Sequence, residues 1–296
     1  MPLPERGILV GLVGTGIGPS LTPPLHEQEA DELGVRYLYR RLDLDELRRP
    51  ASAIGEVLAA ARLAGYDGLN ITHPCKQMVI PHLDELSDDA AALGAVNTVV
   101  LRDGRAVGHN TDWSGFARAF DRGLPDAALD RVVLLGAGGA GAAVAHALLR
   151  LGTARLTVLD VDPARARALA GSLDERFGAG RAVGGDVVDV ARELAAADGL
   201  VHATPTGMAA HPGLPIPAEL LRPGLWVADI VYRPLETALV RTARAAGCRV
   251  LDGGGMAVFQ AVDAFRLFTG IEPDPARMLA HFASLVDAPG PDVRVG

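Results

Sequence analysis

Short apolar runs alternate with stretches of helical periodicity along nearly the whole chain. Strands buried on both faces read as continuous hydrophobic segments, and amphipathic helices between them read with a period near 3.6, so the pattern predicts an α/β architecture. In the first half it predicts strands over 8–13, 35–40, 67–71, 96–101 and 105–109. Helices are expected over 24–33, 50–64 and about 112–120, with a short helix from about 75. Asp103-Gly104 is a hairpin turn signal between the last two strands. Gly123-Leu124-Pro125 marks a boundary, after which the alternation becomes more regular. Strands are expected over 131–135, 155–160, 199–203, 225–230 and 248–251, and helices over 139–151, 163–173, 236–246, 256–269 and 274–286. The pattern contains no internal repeat and no low-complexity tract.

One strand-to-helix junction carries a phosphate-binding pattern. After the apolar run Val132-Val133-Leu134-Leu135 comes Gly136-Ala137-Gly138-Gly139-Ala140-Gly141. In this spacing Gly136 allows a tight turn, Gly138 lets the backbone approach a pyrophosphate, and Gly141 permits close helix–strand packing. The phosphates would then lie on the unpaired amides of the helix N-terminus. Asp160, at the end of the next strand, stands where a carboxylate accepts from a ribose 2′-hydroxyl. Asp160 and Asp162 together would repel a 2′-phosphate, and no arginine is adjacent to them in sequence, which predicts NAD in preference to NADP. Arg165 would stack on adenine or stand as a solvated helix residue.

Composition narrows the function. With 296 residues the chain has material for about two domains. A net charge of −8 with 4% aromatic residues argues against a nucleic-acid partner, which needs a basic face or stacking platforms. No apolar run is long enough to span a membrane, residues 1–30 lack a signal-peptide pattern, and the cytoplasm is the expected location. Cys75 and Cys248 are too few for a disulfide framework and form no metal-ligand cluster, so no metal is expected.

Charge usage then singles out one position. Of the 28 cationic residues, 27 are arginine, and Lys76 is the sole lysine. Arginine keeps its proton in a protein, whereas a lysine amine can be tuned to exchange one. Lys76 lies in Asn70-Ile71-Thr72-His73-Pro74-Cys75-Lys76 at a strand end. Two further polar clusters, Gly94-Ala95-Val96-Asn97-Thr98 and Gly108-His109-Asn110-Thr111-Asp112, flank β-like runs. Strand ends are where small ligands collect in such folds.

These segments resemble the shikimate dehydrogenase family, in particular its NAD-dependent quinate/shikimate branch. The resemblance extends over nearly the whole chain, through Ser20-Leu21-Thr22-Pro23, the glycine loop, Ala203-Thr204-Pro205-Thr206-Gly207-Met208, Asp229-Ile230-Val231-Tyr232 and Gln260. It implies that Lys76 is the catalytic lysine and Asp112 its partner, with the identity of the formal base left open. It implies a clamp on the substrate carboxylate from Ser20, Thr22 and Tyr232, and reading of ring hydroxyls by Thr72, Asn97 and Gln260. Thr204 belongs to the implied cofactor contacts, and Ile230, Gly253 and Met256 would lie near the nicotinamide.

Each assignment has a plainer counterpart. Ser20, Thr22 and Asp112 suit helix starts, Thr72 and Asn97 suit loop hydrogen bonding, and Tyr232 suits a core. Gln260, inside an apolar helix, needs a polar partner. Cys75, His73 and His109 are assigned no chemistry. Two departures stand out. Thr22 replaces a serine usual in biosynthetic members, and His202 replaces the asparagine that usually precedes Ala-Thr-Pro, which leaves the hydrogen bonding there undefined.

The resemblance predicts a substrate domain of residues 1–113 with 256–296 and a Rossmann-type NAD domain of residues 114–255. Substrate would sit in the cleft between them, with Gly253-Gly254-Gly255 as a hinge. The expected reaction is reversible hydride exchange between NAD and the C3 hydroxyl of shikimate or quinate, giving 3-dehydroshikimate or 3-dehydroquinate. The alternatives are an aminoshikimate-type dehydrogenase, a methylenetetrahydrofolate-type dehydrogenase, and a non-catalytic NAD- or shikimate-sensing regulator. A homodimer is compatible with all of these.

Overall fold

The computed structural model describes residues 7–287. The first half runs β1 (Ile8–Gly14), α1 (Thr22–Glu32), β2 (Tyr37–Asp43), α2 (Ile54–Leu63), β3 (Gly68–Ile71), β4 (Glu85–Leu86), α3 (Asp88–Leu93), β5 (Thr98–Arg102), β6 (Arg105–His109) and α4 (Asp112–Gly123). The second half runs β7 (Arg131–Leu135), α5 (Gly139–Arg150), β8 (Arg155–Asp160), α6 (Pro163–Phe177), β9 (Ala182–Asp186), α7 (Val190–Leu194), β10 (Gly199–His202), β11 (Trp226–Asp229), α8 (Ala238–Ala245) and β12 (Arg249–Leu251). Two helices, α9 (Gly254–Thr269) and α10 (Pro275–Asp287), complete it. The chain divides into two compact units, one ending at Thr111 and resuming at Ala261, the other Asp112–Gln260.

The first unit is built on a mixed six-stranded sheet in the order β2-β1-β3-β5-β6-β4. β1 is parallel to β2 and β3, whereas β5 is antiparallel to β3 and to β6. The period-two alternation of strands divides their side chains between two cores. Ile8, Val10 and Leu12 pack with Phe265 and Phe268, and Leu69, Ile71 and Val99 pack on the other side with Ile54 and Leu58. Glu29, 1% exposed on α1, is held by Arg277 through two hydrogen bonds of 2.8 and 2.6 Å, which ties α10 to α1.

The second unit is an all-parallel six-stranded sheet, β12-β11-β10-β7-β8-β9. Its order reverses between β7 and β10, the doubly wound arrangement in which ligands bind beyond the strand C-termini at the switch. β7 shows why both faces are covered. Val132 and Leu134 enter one core with Trp226 and Leu148, while Val133 and Leu135 enter another with Leu200 and Val227.

The structure departs from the pattern at one predicted helix and adds short elements. No α-helix starts near 75; residues 73–79 form turns that end in a short 3-10 helix, Ile80–His82. Pro81 supplies no backbone donor and disfavours helix at the preceding residue, so a regular helix cannot propagate there. The pattern does not predict β4, α3, β9 or α7, elements of two to six residues, of which β4 and β9 are edge strands. The glycine run at 253–255 leads into α9, which begins at Gly254.

Candidate functional site

In the first unit the polar residues converge at the C-terminal ends of β1 and β3. Thr72 follows β3, with its amide donating to Val13 O at 2.9 Å. The Asn97 carbonyl accepts from Ile71 N at 2.8 Å, because antiparallel β5 starts where β3 ends. The Val96 amide donates to Lys76 O at 2.9 Å, which anchors the half-buried Lys76 backbone beside the same strand end. Thr72, Lys76 and Asn97 are thus brought together, although 25 positions separate the outer two.

The Asn97 amide is oriented by a buried chain of hydrogen bonds. Its Oδ1 accepts from Thr111 N at 2.8 Å and Thr98 Oγ1 at 3.1 Å, and its Nδ2 donates to Thr111 Oγ1 at 3.0 Å. Asn70 Nδ2 donates to Thr98 Oγ1 at 3.0 Å, and Tyr39 donates to Asn70 Oδ1. Sequence reasoning passed over Tyr39, Asn70, Thr98 and Thr111 as supports. Asn70, Thr98 and Thr111 lie inside the polar motifs of the sequence, whereas Tyr39 lies outside them.

Ser20 lies in the β1–α1 loop, half-buried, and its Oγ accepts from Thr22 N at 3.3 Å. Thr22 opens α1, whose cap residue is Leu21 with no side-chain cap. Neither hydroxyl is therefore the conventional helix cap. Cys75 is buried, and burial pushes its thiol above the usual range, so it stays protonated. Burial likewise lowers the His109 imidazole, against the opposing charge of Glu85.

In the second unit the glycine loop lies at the switch point. Gly136 has φ +103°, and a Cβ there would stand 2.7 Å from Ala203 O. A Cβ on Gly141 would stand 2.0 Å from Gly136 O, so loop and helix touch backbone to backbone. Gly138 is the exposed N-cap of α5, and the first helical bond runs from Ala142 N to Gly138 O. The amides of Gly139, Ala140 and Gly141 therefore have no intrahelical acceptor and form an anion cradle. This cradle fits a dinucleotide diphosphate.

Asp160 differs from its expected isolation. Its Oδ2 accepts the Ala137 amide at 2.7 Å, and its Oδ1 accepts Asp162 N at 2.9 Å and Arg165 Nη2 at 2.7 Å. Arg165 is not adjacent in sequence, but Asp162 caps α6 and turns the chain so that Arg165 reaches back over the end of β8. It is therefore an ion-pair partner rather than a freely solvated helix residue. Burial opposes ionisation of Asp160, but the guanidinium and the two amides outweigh it and hold the carboxyl below its ordinary value.

Thr204 is half-buried against Gly136, and its Oγ1 meets His202 Nε2. Ile230 donates its amide to His202 O at 3.1 Å, and Gly253 lies buried against the Ile230 carbonyl. Met256 is buried on α9. Gln260 is half-buried on the same helix, with Nε2 donating to Ala257 O at 3.0 Å. Tyr232 is half-buried beyond β11; burial raises its phenol above the usual range, partly offset by Arg233, so it is a protonated donor. Asp112, 7% exposed, is the first residue of α4. No cluster of metal-ligating side chains occurs among the described residues, and none of their helices is long and apolar enough to cross a membrane.

A parallel doubly wound sheet with a glycine cradle at its switch point, carried on one chain with a second sheet whose strand ends gather polar groups, defines an oxidoreductase of the two-domain α/β class. Residues 12–99 match the family described as shikimate dehydrogenase substrate binding domain. A relative from Streptomyces avermitilis, named shikimate dehydrogenase (NADP(+)), is 68% identical over 281 residues, 95% of this chain and 97% of that protein. One from Corynebacterium efficiens, named quinate/shikimate dehydrogenase (NAD(+)), is 54% identical over 94% of this chain and 98% of its own. Among solved structures, quinate dehydrogenase from Corynebacterium glutamicum in complex with NAD superposes with a TM-score of 0.90 at 50% identity, covering 94% of this chain and 99% of that one. The chain belongs to the shikimate dehydrogenase family, whose members act on a CH–OH group.

Proposed function

We propose that this protein is a quinate/shikimate dehydrogenase that exchanges a hydride between NAD and the C3 hydroxyl of shikimate or quinate. The observation that carries the reading is the position of the single lysine: Val96 N to Lys76 O fixes Lys76 next to Thr72 and Asn97 at one strand end. Relatives named for shikimate and for quinate/shikimate support both substrates.

NAD, when bound, supplies the hydride acceptor. The chain's own residues do the rest. Lys76 takes the hydroxyl proton as the alcohol is oxidised and returns it in the reverse direction, with Asp112 as its acidic partner in the exchange. Ser20 and Thr22, with Tyr232, donate to the substrate carboxylate, and the phenol of Tyr232 keeps its proton for this purpose. Thr72, Asn97 and Gln260 read the ring hydroxyls through directional bonds, which discriminate hydroxyl positions far better than apolar contact does. The fixed Asn97 amide has a defined donor and acceptor end, which is what such reading needs. The Gly139–Gly141 amides hold the diphosphate, with Ile230, Gly253 and Met256 serving the nicotinamide. Residues up to 113 with those from 256 act as the substrate domain, and residues 114–255 as the cofactor domain.

NAD preference rests on Asp160, whose buried, ionised carboxylate accepts a ribose hydroxyl and repels a 2′-phosphate. One observation favours NADP instead: the Arg165 side chain is 51% exposed beside that carboxylate, and a relative at 68% identity is named for NADP. Steady-state kinetics with quinate and shikimate, each with NAD and NADP, decide the matter. Higher kcat/KM with NAD is the expected result. Equal rates with the two cofactors would refute the role of Asp160, and absence of turnover with both substrates would refute the activity.

A further inference from the structure

The strongest unassigned feature is the buried line Asp229–His202–Thr204 in the second unit. His202 is fully buried at the end of β10, and Asp229, 1% exposed, ends the neighbouring β11. His202 Nδ1 lies 2.9 Å from Asp229 Oδ1, and His202 Nε2 lies 2.5 Å from Thr204 Oγ1. Asp229 is held in turn by Thr237 Oγ1 at 2.7 Å and the Val231 amide at 3.1 Å. Thr237 caps α8 through Val240 N. His202 and Asp229 are thus fixed by adjacent strand ends and a helix start, and Thr204 follows two residues beyond β10.

We propose that Asp229 and His202 act as positioning residues that make the Thr204 hydroxyl an acceptor only, so that it receives a hydrogen bond from the nicotinamide riboside half of the cofactor. This rests on the dinucleotide reading above. A carboxylate only accepts, so Asp229 requires the proton on Nδ1 of the ring. In the neutral ring Nε2 is then an acceptor, and the one hydroxyl proton of Thr204 must point to it. Thr206 N donates into Thr204 Oγ1 at 3.3 Å, which leaves one lone pair for a ligand.

A threonine packed against a glycine loop would ordinarily donate to phosphate. Here the proton is already committed, and phosphate oxygens, which only accept, cannot use the remaining lone pair. The ligand group must be a donor, a ribose hydroxyl or a carboxamide N–H. Sheet order agrees. Asp160 on β8 marks the adenosine side of β7, and β10 lies on the other side of β7, towards the nicotinamide. The asparagine expected at position 202 can donate to Asp229 but is too short to supply the second nitrogen.

Two measurements test this. Long-range ¹⁵N correlation spectra of the full-length protein, with His202 assigned by its loss in His202→Asn, should show a protonated Nδ1 and an unprotonated Nε2 at neutral pH. An Nε2-protonated ring or an imidazolium overturns the proposal, with no variant needed. Binding of NADH and of ADP, which carries the diphosphate without the nicotinamide riboside, should then separate in the variants. Thr204→Val and His202→Asn should each weaken NADH roughly tenfold, the worth of about one hydrogen bond, and leave ADP within about twofold. Thr204→Ser should restore NADH binding. Parallel loss of ADP, or unchanged NADH affinity in Thr204→Val, overturns the relay alone. Failure of the unaltered protein to bind either nucleotide overturns the dinucleotide reading, and the relay with it.

Discussion

Arg165 places a guanidinium nitrogen 2.7 Å from Asp160 Oδ1 at the end of β8, the carboxylate proposed to read a ribose. Three of the carboxylate's lone-pair sites are taken by Ala137 N, Asp162 N and Arg165, so about one remains for a 2′-hydroxyl. The guanidinium, half in solvent, is the only group of the pair that would welcome a 2′-phosphate.

Removal of each partner should therefore move cofactor choice in opposite directions. Asp160→Asn should lower the ratio of kcat/KM with NAD to that with NADP by about tenfold, the worth of roughly 1.4 kcal/mol. Arg165→Ala should raise that ratio, mainly through a higher KM for NADP. A ratio unchanged by both substitutions would show that the discrimination lies elsewhere.

Lys76→Arg keeps the positive charge and removes the exchangeable proton. Turnover should fall by roughly 10²-fold or more, with cofactor affinity by fluorescence titration little changed. Near-normal kcat would remove Lys76 from the proton path.

Gly141→Ala tests the backbone contact at the loop. The added methyl would fall 2.0 Å from Gly136 O, a distance no relaxed structure keeps, so loop and helix must separate. Overpacking of this kind costs about 1–3 kcal/mol. A lower Tm together with weakened ADP binding is expected. An unaltered Tm would mean that the helix can shift without cost.

His26 gives a pH prediction. It is fully buried among Tyr37, Tyr39, Phe265 and Phe268, with Nδ1 3.0 Å from the Tyr37 hydroxyl, and burial lowers its pKa from 6.5 to about 3. The folded value lies below the unfolded one, so the unfolded chain gains a proton below pH 6.5 that the folded chain refuses until near pH 3. Stability should fall with acid across that window, by at most about 1.4 kcal/mol per pH unit from this group. Urea unfolding of His26→Phe between pH 7 and 4 should show a shallower slope. An identical slope would place the acid sensitivity in other groups.

The glycine loop and its flanking strand were legible because they are local. Val132–Leu135 and Gly136–Gly141 are contiguous, and their spacing alone states the geometry required. The isolation of Lys76 among arginines was legible as a count, and the alternation of the long strands placed them within a few residues. The short elements β4, α3, β9 and α7 were not, since a two- to six-residue segment carries too little periodicity to declare itself. Asp160 looked unaccompanied because its partner is five positions on, across a helix cap.

From its residues alone, then, this chain announced an α/β fold with a dinucleotide turn, which lie within continuous stretches, a solitary lysine, which is a count, and the ordered motifs that resemble an oxidoreductase family. Folding was needed to bring His202 beside Asp229, to aim Asn97 by way of Tyr39 and Asn70, and to swing Arg165 onto Asp160. These pairings depend on which strands become neighbours and where a helix begins, and no local pattern of polar and apolar residues encodes that.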